Sequence, residues 1–200
     1  MDVKLYFVRH GETLANARQV YHGRLDVDIS PKGRAQAMEV ADCLRGVDFD
    51  RVIVSGRKRT WQTAETICPD KGIWTVEPGF DEMDFGEWEG LSYREVRQRF
   101  PGTYASWSRD FMGTAPDGGE SFSAMYDRVC RAFDRLKFRD GERVLVVGHQ
   151  GPFQCLFSRF AGAPPEAVWH LKFIQGSYSL VALTDGYPVI EGLNMRHRAE

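Results

Sequence analysis

An arginine and a histidine stand side by side where an apolar run stops. Leu5-Tyr6-Phe7-Val8 is followed by Arg9-His10-Gly11-Glu12-Thr13. A guanidinium is a planar fork for phosphate oxygens, and a neutral imidazole is a nucleophile. Gly11 carries no side chain, which is expected to let a ligand come close to the backbone. A second histidine repeats the setting: Val144-Leu145-Val146-Val147 runs into Gly148-His149-Gln150-Gly151. A third cluster, Ser55-Gly56-Arg57-Lys58-Arg59, opens a helical pattern. Helix N-termini already favour anions through free N–H groups and the macrodipole. Three cations there imply a bound anion, and Arg59 is the leading candidate to hold it. The acidic run Asp81-Glu82-Met83-Asp84-Phe85-Gly86-Glu87-Trp88-Glu89 interleaves carboxylates with Met83, Phe85 and Trp88. Most of these acids read as a solvated loop. One desolvated by such neighbours has its pKa raised and suits general-acid work near neutral pH.

These groups need a scaffold that brings distant segments to one edge. Apolar runs predict strands at about 3–8, 51–55, 72–76, 143–148, 178–184 and 188–193. Helical patterns fall between several of them. Ser30-Pro31 is a start signal, and that helix is expected to reach Arg45 and stop at Gly46. A second helix covers Ser55 to Ile67, a third is capped by Ser121, and a fourth runs from about Gly151 to Gly162. Strands alternating with helices predict an α/β fold: a single-domain three-layer αβα sandwich with a mostly parallel sheet. Residues 78–120 break the alternation and read as a helical and loop excursion over the strand ends, a pocket wall or lid. Its aromatics, with Trp169, belong either to the core or to a surface that stacks on a base; Tyr93, Trp107, Phe111 and Trp169 are the candidates.

Composition narrows the function classes. A net charge of −2 gives no overall field to hold a nucleic acid or an anionic membrane, so an anionic substrate needs a local positive cluster. No apolar stretch approaches the roughly 20 residues that span a bilayer. Cys43, Cys68, Cys130 and Cys155 are too widely spaced for a zinc pattern and read as reduced thiols. No signal-peptide pattern precedes the first run, and the cytoplasm is the expected compartment. Oligomeric state is not legible.

Rival phosphate chemistries fail on residues. No cysteine is followed six positions later by arginine. There is no P-loop, and no dinucleotide-type glycine fingerprint after the first strand. Asp26-Val27-Asp28 has the spacing of an aspartate nucleophile, but no hydrophobic strand precedes it and Ser30 is committed to a helix cap. A metal held by His10, His22 and His149 is opposed by the cations Arg9 and Arg59.

Taken together, these motifs resemble the histidine phosphatase superfamily, in its phosphoglycerate-mutase-like branch, over about residues 3–193. Arg9-His10-Gly11-Glu12-Thr13 with Asn16 is similar to the family's first motif, and Arg59 before Gln62-Thr63-Ala64 to its second arginine. Glu82 falls where the family keeps its proton donor, and Gly148-His149 resembles its second histidine. Thr60 and Arg57 depart from the pattern, and Arg57 either adds positive potential or points to solvent. Within the family, His149-Gln150-Gly151, Gly118-Gly119-Glu120-Ser121-Phe122 and Pro165-Glu166-Ala167-Val168-Trp169-His170 are similar to the α-ribazole-5′-phosphate phosphatases of cobalamin assembly.

The resemblance implies a phosphatase acting on a small phosphorylated metabolite, without metal or cofactor. His10 is the expected nucleophile. Arg9, Arg59 and a protonated His149 are expected to hold the phosphoryl oxygens, with Asn16, the Gln150 N–H, His22 and Gly23 beside them. Glu82 protonates the leaving group and then activates water. A cofactor-dependent phosphoglycerate mutase is the alternative enzyme. It is disfavoured because family mutases are longer and this chain stops at Glu200, soon after its last strand. A catalytically silent phosphate-binding module is the non-enzyme alternative.

Overall fold

The computed structural model describes residues 1–199. Strand β1 (Asp2–Arg9) leads through a short helix α1 (Leu14–Ala17) to helix α2 (Pro31–Cys43), β2 (Arg51–Val54), α3 (Lys58–Ile67) and β3 (Trp74–Val76). Helices α4 (Tyr93–Arg99) and α5 (Pro101–Arg109) lie in the excursion. The chain returns through α6 (Phe122–Arg135), β4 (Arg143–Gly148), α7 (Gln150–Phe160), β5 (Tyr178–Thr184) and β6 (Tyr187–Met195). The spatial strand order is β3-β2-β4-β1-β5-β6. The first four are mutually parallel, and β5 and β6 add an antiparallel edge.

The two faces of β1 show why three layers form. Val3, Leu5 and Phe7 pack with Ile53, Val144 and Val146 against Val129, Phe153 and Phe157 of α6 and α7. Tyr6 and Val8 point the other way, with Val52, Val54 and Val147, against Val40 of α2 and Ala64 of α3. Strands buried on both faces read as continuous apolar runs, as these do.

Expected boundaries shift where side chains have other work. The Ser30 hydroxyl accepts the Gly33 N–H at 3.1 Å and the Ser121 hydroxyl that of Ala124 at 3.2 Å, so both helices start where their caps predicted. Helix α3 begins at Lys58 rather than Ser55, because the Ser55 hydroxyl is turned to His149 at 2.7 Å. Strand β3 begins at Trp74 because Asp70 caps a 3-10 turn over Lys71–Ile73.

Register delivers the site. β4 is inserted between β1 and β2, which are separated by a crossover, and Arg9 pairs with Gly148 while Val54 pairs with Val147. His10, Ser55 and His149 therefore leave the same carboxyl edge at the topological switch point, where open α/β sheets bind ligands.

Gly11 serves this edge differently from expectation. A Cβ there would lie 2.3 Å from the Gly33 carbonyl oxygen, and a Cβ at Gly33 would lie 2.2 Å from that of Glu12. The absent side chain admits the start of α2, not a ligand. Backbone meets backbone here, so neither side yields cheaply. Gly11→Ala is expected to lower unfolding free energy by about 1–3 kcal/mol, the usual range for overpacking. Urea unfolding checks this, and a midpoint equal to wild type contradicts the close approach.

Candidate active site

His10 follows the last residue of β1 and is 3% exposed. Its Nδ1 donates to the Gly11 carbonyl at 2.8 Å. That bond fixes the tautomer and leaves Nε2 with its lone pair. Burial, then Arg59 and Arg9, hold the His10 pKa well below the ordinary histidine value. The imidazole is neutral and ready to act as a base or nucleophile.

Arg59, in the first turn of α3, is fully buried. Its Nη1 donates to Leu25 O at 2.8 Å, its Nη2 to Gly23 O at 2.9 Å, and its Nε to His149 Nδ1 at 3.3 Å. Arg9 Nη1 donates to Gln150 Oε1 at 2.7 Å and Phe173 O at 2.9 Å, while its Nε is buried with no acceptor among the described residues. Burial pushes both guanidinium pKa values down and the nearby Glu82 pushes them up. Among the described residues neither arginine forms an ion pair with a carboxylate. Both cations thus rest on carbonyl and amide oxygens, with Glu82 nearby but bonded to neither.

His149 joins His10, with ring centroids 5.2 Å apart. The expected protonated His149 is not what the geometry holds. Nδ1 accepts from Arg59 and Nε2 donates to Ser55, which is the bond set of a neutral ring. Burial and then Arg59 drive its pKa well below the ordinary value.

The remaining expected phosphate ligands divide. Asn16 Oδ1 accepts from the Thr13 N–H and hydroxyl, each at 3.0 Å, and from Gln175 Nε2 at 3.1 Å. With its oxygen taken, Asn16 offers its NH₂. The Gln150 N–H lies in the first turn of α7, where no preceding carbonyl of the helix can accept it. His22 donates Nδ1–H to Val20 O at 3.0 Å, and its Nε2 lies 3.4 Å from Thr13 Oγ1. Burial lowers its pKa, and with the proton on Nδ1 the ring is held neutral. Gly23 is also reassigned: its N–H goes to Glu89 Oε1 at 2.8 Å, and a Cβ would sit 1.6 Å from Met83 O. It shapes the loop that feeds carbonyls to Arg59.

The basic cluster is less uniform than its sequence suggested. Arg57 neither points to solvent nor adds free positive charge, because it pairs with Asp81 at 2.6 Å and donates to Arg24 O at 3.1 Å. The Gly56 N–H goes to Asp81 at 2.7 Å and the Lys58 N–H to Asp26 at 2.8 Å. Carboxylates already occupy the start of α3, and Arg59 alone serves the site.

Glu82 is half-buried, with Oε1 accepting from the Met83 N–H at 3.0 Å and Oε2 from the Gly151 N–H at 3.3 Å. A Cβ at Gly151 would lie 2.3 Å from Glu82 Oε1, so that glycine makes room for the carboxylate at the start of α7. Arg9, Glu82 and Gln150 line a cavity of about 210 Å³ whose other walls include Tyr21, Phe85, Trp107 and Trp169. Of the four aromatics considered for stacking, Trp107 and Trp169 reach it. Phe111 packs edge-on against Trp169 at 5.0 Å, and Tyr93 lies exposed beside Arg94.

Three contributors carried no recognisable signal in the sequence. Ser55 fixes His149, and Gln175 fixes Asn16. Glu89 gathers the N–H groups of Gly23, Arg24, Leu25 and Phe85. No cluster of three or more His, Cys, Asp or Glu among the described residues is arranged to hold a metal ion, and no helix of the described residues is long and apolar enough to cross a membrane.

Comparison with known proteins identifies the family. A family model described as the histidine phosphatase superfamily (branch 1) matches residues 5–196. The Escherichia coli adenosylcobalamin/alpha-ribazole phosphatase is 34% identical over 97% of each chain. Phosphoserine phosphatase 1 of Hydrogenobacter thermophilus is 31% identical over 96% of this chain and 92% of its own. The crystal structure of a putative alpha-ribazole-5′-P phosphatase from Escherichia coli superposes with a TM-score of 0.95 at 34% identity, covering 99% of this chain and 98% of that one. The catalytic edge, the three-layer scaffold and the sequence thus lead to one assignment: this chain belongs to the histidine phosphatase superfamily.

Proposed function

We propose that the chain hydrolyses a phosphomonoester in two steps through a phosphohistidine at His10. The observation that carries this is a neutral imidazole, its Nε2 unprotonated, held beside the fully buried Arg59 and the half-buried Arg9, neither of which has a carboxylate partner. A phosphoryl dianion supplies the missing charge. Arg9, Arg59, the Asn16 NH₂ and the Gln150 N–H hold its equatorial oxygens and stabilise the charge that develops in the transition state. The dianion also raises the proton affinity of His149. Protonated at Nδ1, that ring exchanges its bond to Arg59 for one to a phosphoryl oxygen.

His10 Nε2 attacks phosphorus, and the bond to the ester oxygen breaks. Glu82 gives its proton to the departing alkoxide. The resulting carboxylate then takes a proton from water, which attacks the phosphohistidine and regenerates His10. The leaving group occupies the aromatic-walled cavity. Planar apolar walls suit an alcohol that carries a flat ring, and α-ribazole 5′-phosphate, with its dimethylbenzimidazole base, is the substrate proposed.

Two outcomes are expected. Labelled phosphoryl substrate quenched in alkali leaves base-stable label on the wild type and none on His10→Ala, whose turnover is abolished. Glu82→Gln loses about 10²–10⁴-fold and Arg59→Met about 10²–10³-fold in turnover. Base-stable label persisting in His10→Ala overturns the assignment. Phosphate release in EDTA across α-ribazole phosphate, nucleoside monophosphates, sugar phosphates and phosphoglycerates ranks the substrates. Isomerisation of phosphoglycerate dependent on 2,3-bisphosphoglycerate would instead make the chain a mutase.

A further expected outcome concerns pH. His10 and His149 have folded-state pKa values well below that of an unfolded histidine, so the unfolded chain binds more protons in mild acid. Their contribution to stability is intact above about pH 6.5 and lost progressively below it. Urea unfolding is expected to take up about one proton from this pair at about pH 6.5, rising to nearly two at about pH 5.5, and His10→Asn and His149→Gln each to remove about half of that uptake. Unfolding free energy that is flat across that window contradicts neutral imidazoles.

A further inference from the structure

Glu82 sits in a strip, residues 81–85, that belongs to no helix or strand. What fixes a proton donor there must be side chains from elsewhere. Arg128, half-buried on α6, reaches across to this strip. Its Nη1 donates to Gly79 O and Asp81 O, each at 3.0 Å, and its Nη2 lies 3.5 Å from Glu82 O. The other side of the fork grips Glu120, with Nε to Oε2 at 3.2 Å and Nη2 to Oε1. Glu120 in turn accepts the Asp84 N–H at 3.0 Å and returns its own N–H to Asp84 O at 3.0 Å. One guanidinium and one carboxylate therefore hold the backbone on both sides of Glu82.

We propose that Arg128, with Glu120 as its partner, is a positioning residue that aims the Glu82 carboxyl at the leaving-group oxygen. The proposal rests on Glu82 being the proton donor. The fork geometry matters more than the charge. A lysine delivers a point charge and cannot satisfy carbonyls at 79 and 81 and a carboxylate together with the same planar fit. Arg128 contacts neither His10, Arg9, Arg59 nor His149, so its loss leaves the phosphate cluster intact. Misplacement of a catalytic group by about 1 Å can cost about 10²-fold.

The leaving group separates this role from a general structural one. p-Nitrophenolate departs without a proton, whereas the alkoxide of ribose 5-phosphate needs one. The experiment measures release of alcohol in the first turnover from both esters for wild type, Arg128→Met, Arg128→Lys, Glu120→Gln and Glu82→Gln. Thermal melts establish that each variant is folded. Arg128→Met is expected to slow the alkyl ester by about 10–10²-fold and the aryl ester by less than about threefold, with Arg128→Lys intermediate. In a Glu82→Gln background, Arg128→Met is expected to add less than about twofold on the alkyl ester, because no donor remains to be aimed.

Equal losses on both esters in Arg128→Met, while Glu82→Gln discriminates between them, overturn the proposal and leave the reading of Glu82 intact. Equal losses in Glu82→Gln itself remove the donor and the proposal with it. Should Arg128→Met fail to fold, Arg128→Lys and Glu120→Gln carry the same comparison: a larger loss on the alkyl ester supports the proposal, and equal losses overturn it.

Discussion

Burying a guanidinium without a carboxylate is costly, because carbonyl dipoles stabilise the cation without cancelling its charge. This chain does it fully at Arg59 and in part at Arg9, which is half-buried with its Nε out of water. The positive field left over explains several features together. It keeps His10, His149 and His22 neutral, each lowered first by burial and further by Arg59. A neutral His10 is a nucleophile, whereas a protonated one is not. The field that awaits an anion is therefore the field that prepares the group to attack it. Binding and activation are one electrostatic arrangement.

That arrangement depends on carbonyls aimed correctly, and a loop supplies them. Residues 22–25 present His22 O, Gly23 O and Leu25 O to Arg59. Nothing in a loop fixes such an orientation by itself. Glu89 does so by accepting N–H groups from Gly23, Arg24 and Leu25 on one side and Phe85 on the other. The close approach of Gly23 to Met83 O completes the seam. The excursion over the strand ends is thus fastened to the phosphate cage. Trp88, fully buried, anchors it from behind through Tyr21 at 5.7 Å and Trp107 at 5.7 Å.

Much of this was legible in the sequence, and the failures share a cause. The strands announced themselves as apolar runs, and the abrupt change to Arg9-His10 and His149 marked their carboxyl ends, so the edge where these side chains converge could be read. What could not be read was direction. Glycine states that a side chain is absent but not who occupies the space, so Gly11 was assigned to a ligand when α2 fills it. A run of cations states charge but not pairing, and Asp81, which neutralises Arg57, lies far along the chain. A histidine states that a ring can carry a proton but not which bonds it makes, and here burial and the Arg59 Nε–H directed at Nδ1 hold His149 neutral. Ser55, Glu89 and Gln175 act only through bonds between distant segments, which no local pattern encodes.

The two ends of the site also differ in origin. The proposed phosphate end is built from strand termini and helix starts, whose positions follow from the sheet register. The leaving-group end is walled by Phe85 and Trp107 of the excursion and Trp169 of the segment after α7. None of those residues contributes a charge to the phosphate cluster. Substitution in these walls alters which alcohol fits without touching the field that activates His10. Such a division lets one catalytic edge serve different esters, with chemistry held by the scaffold and selectivity by what covers it. Glu82 belongs to both ends, since it lines the aromatic-walled cavity and bonds the start of α7 through Gly151. It is the one proposed reacting group that lies in neither a strand end nor a helix start. Its geometry depends instead on side chains of α6 and the loop before it, and there a change in the covering segment would be felt in the chemistry as well as in the choice of substrate.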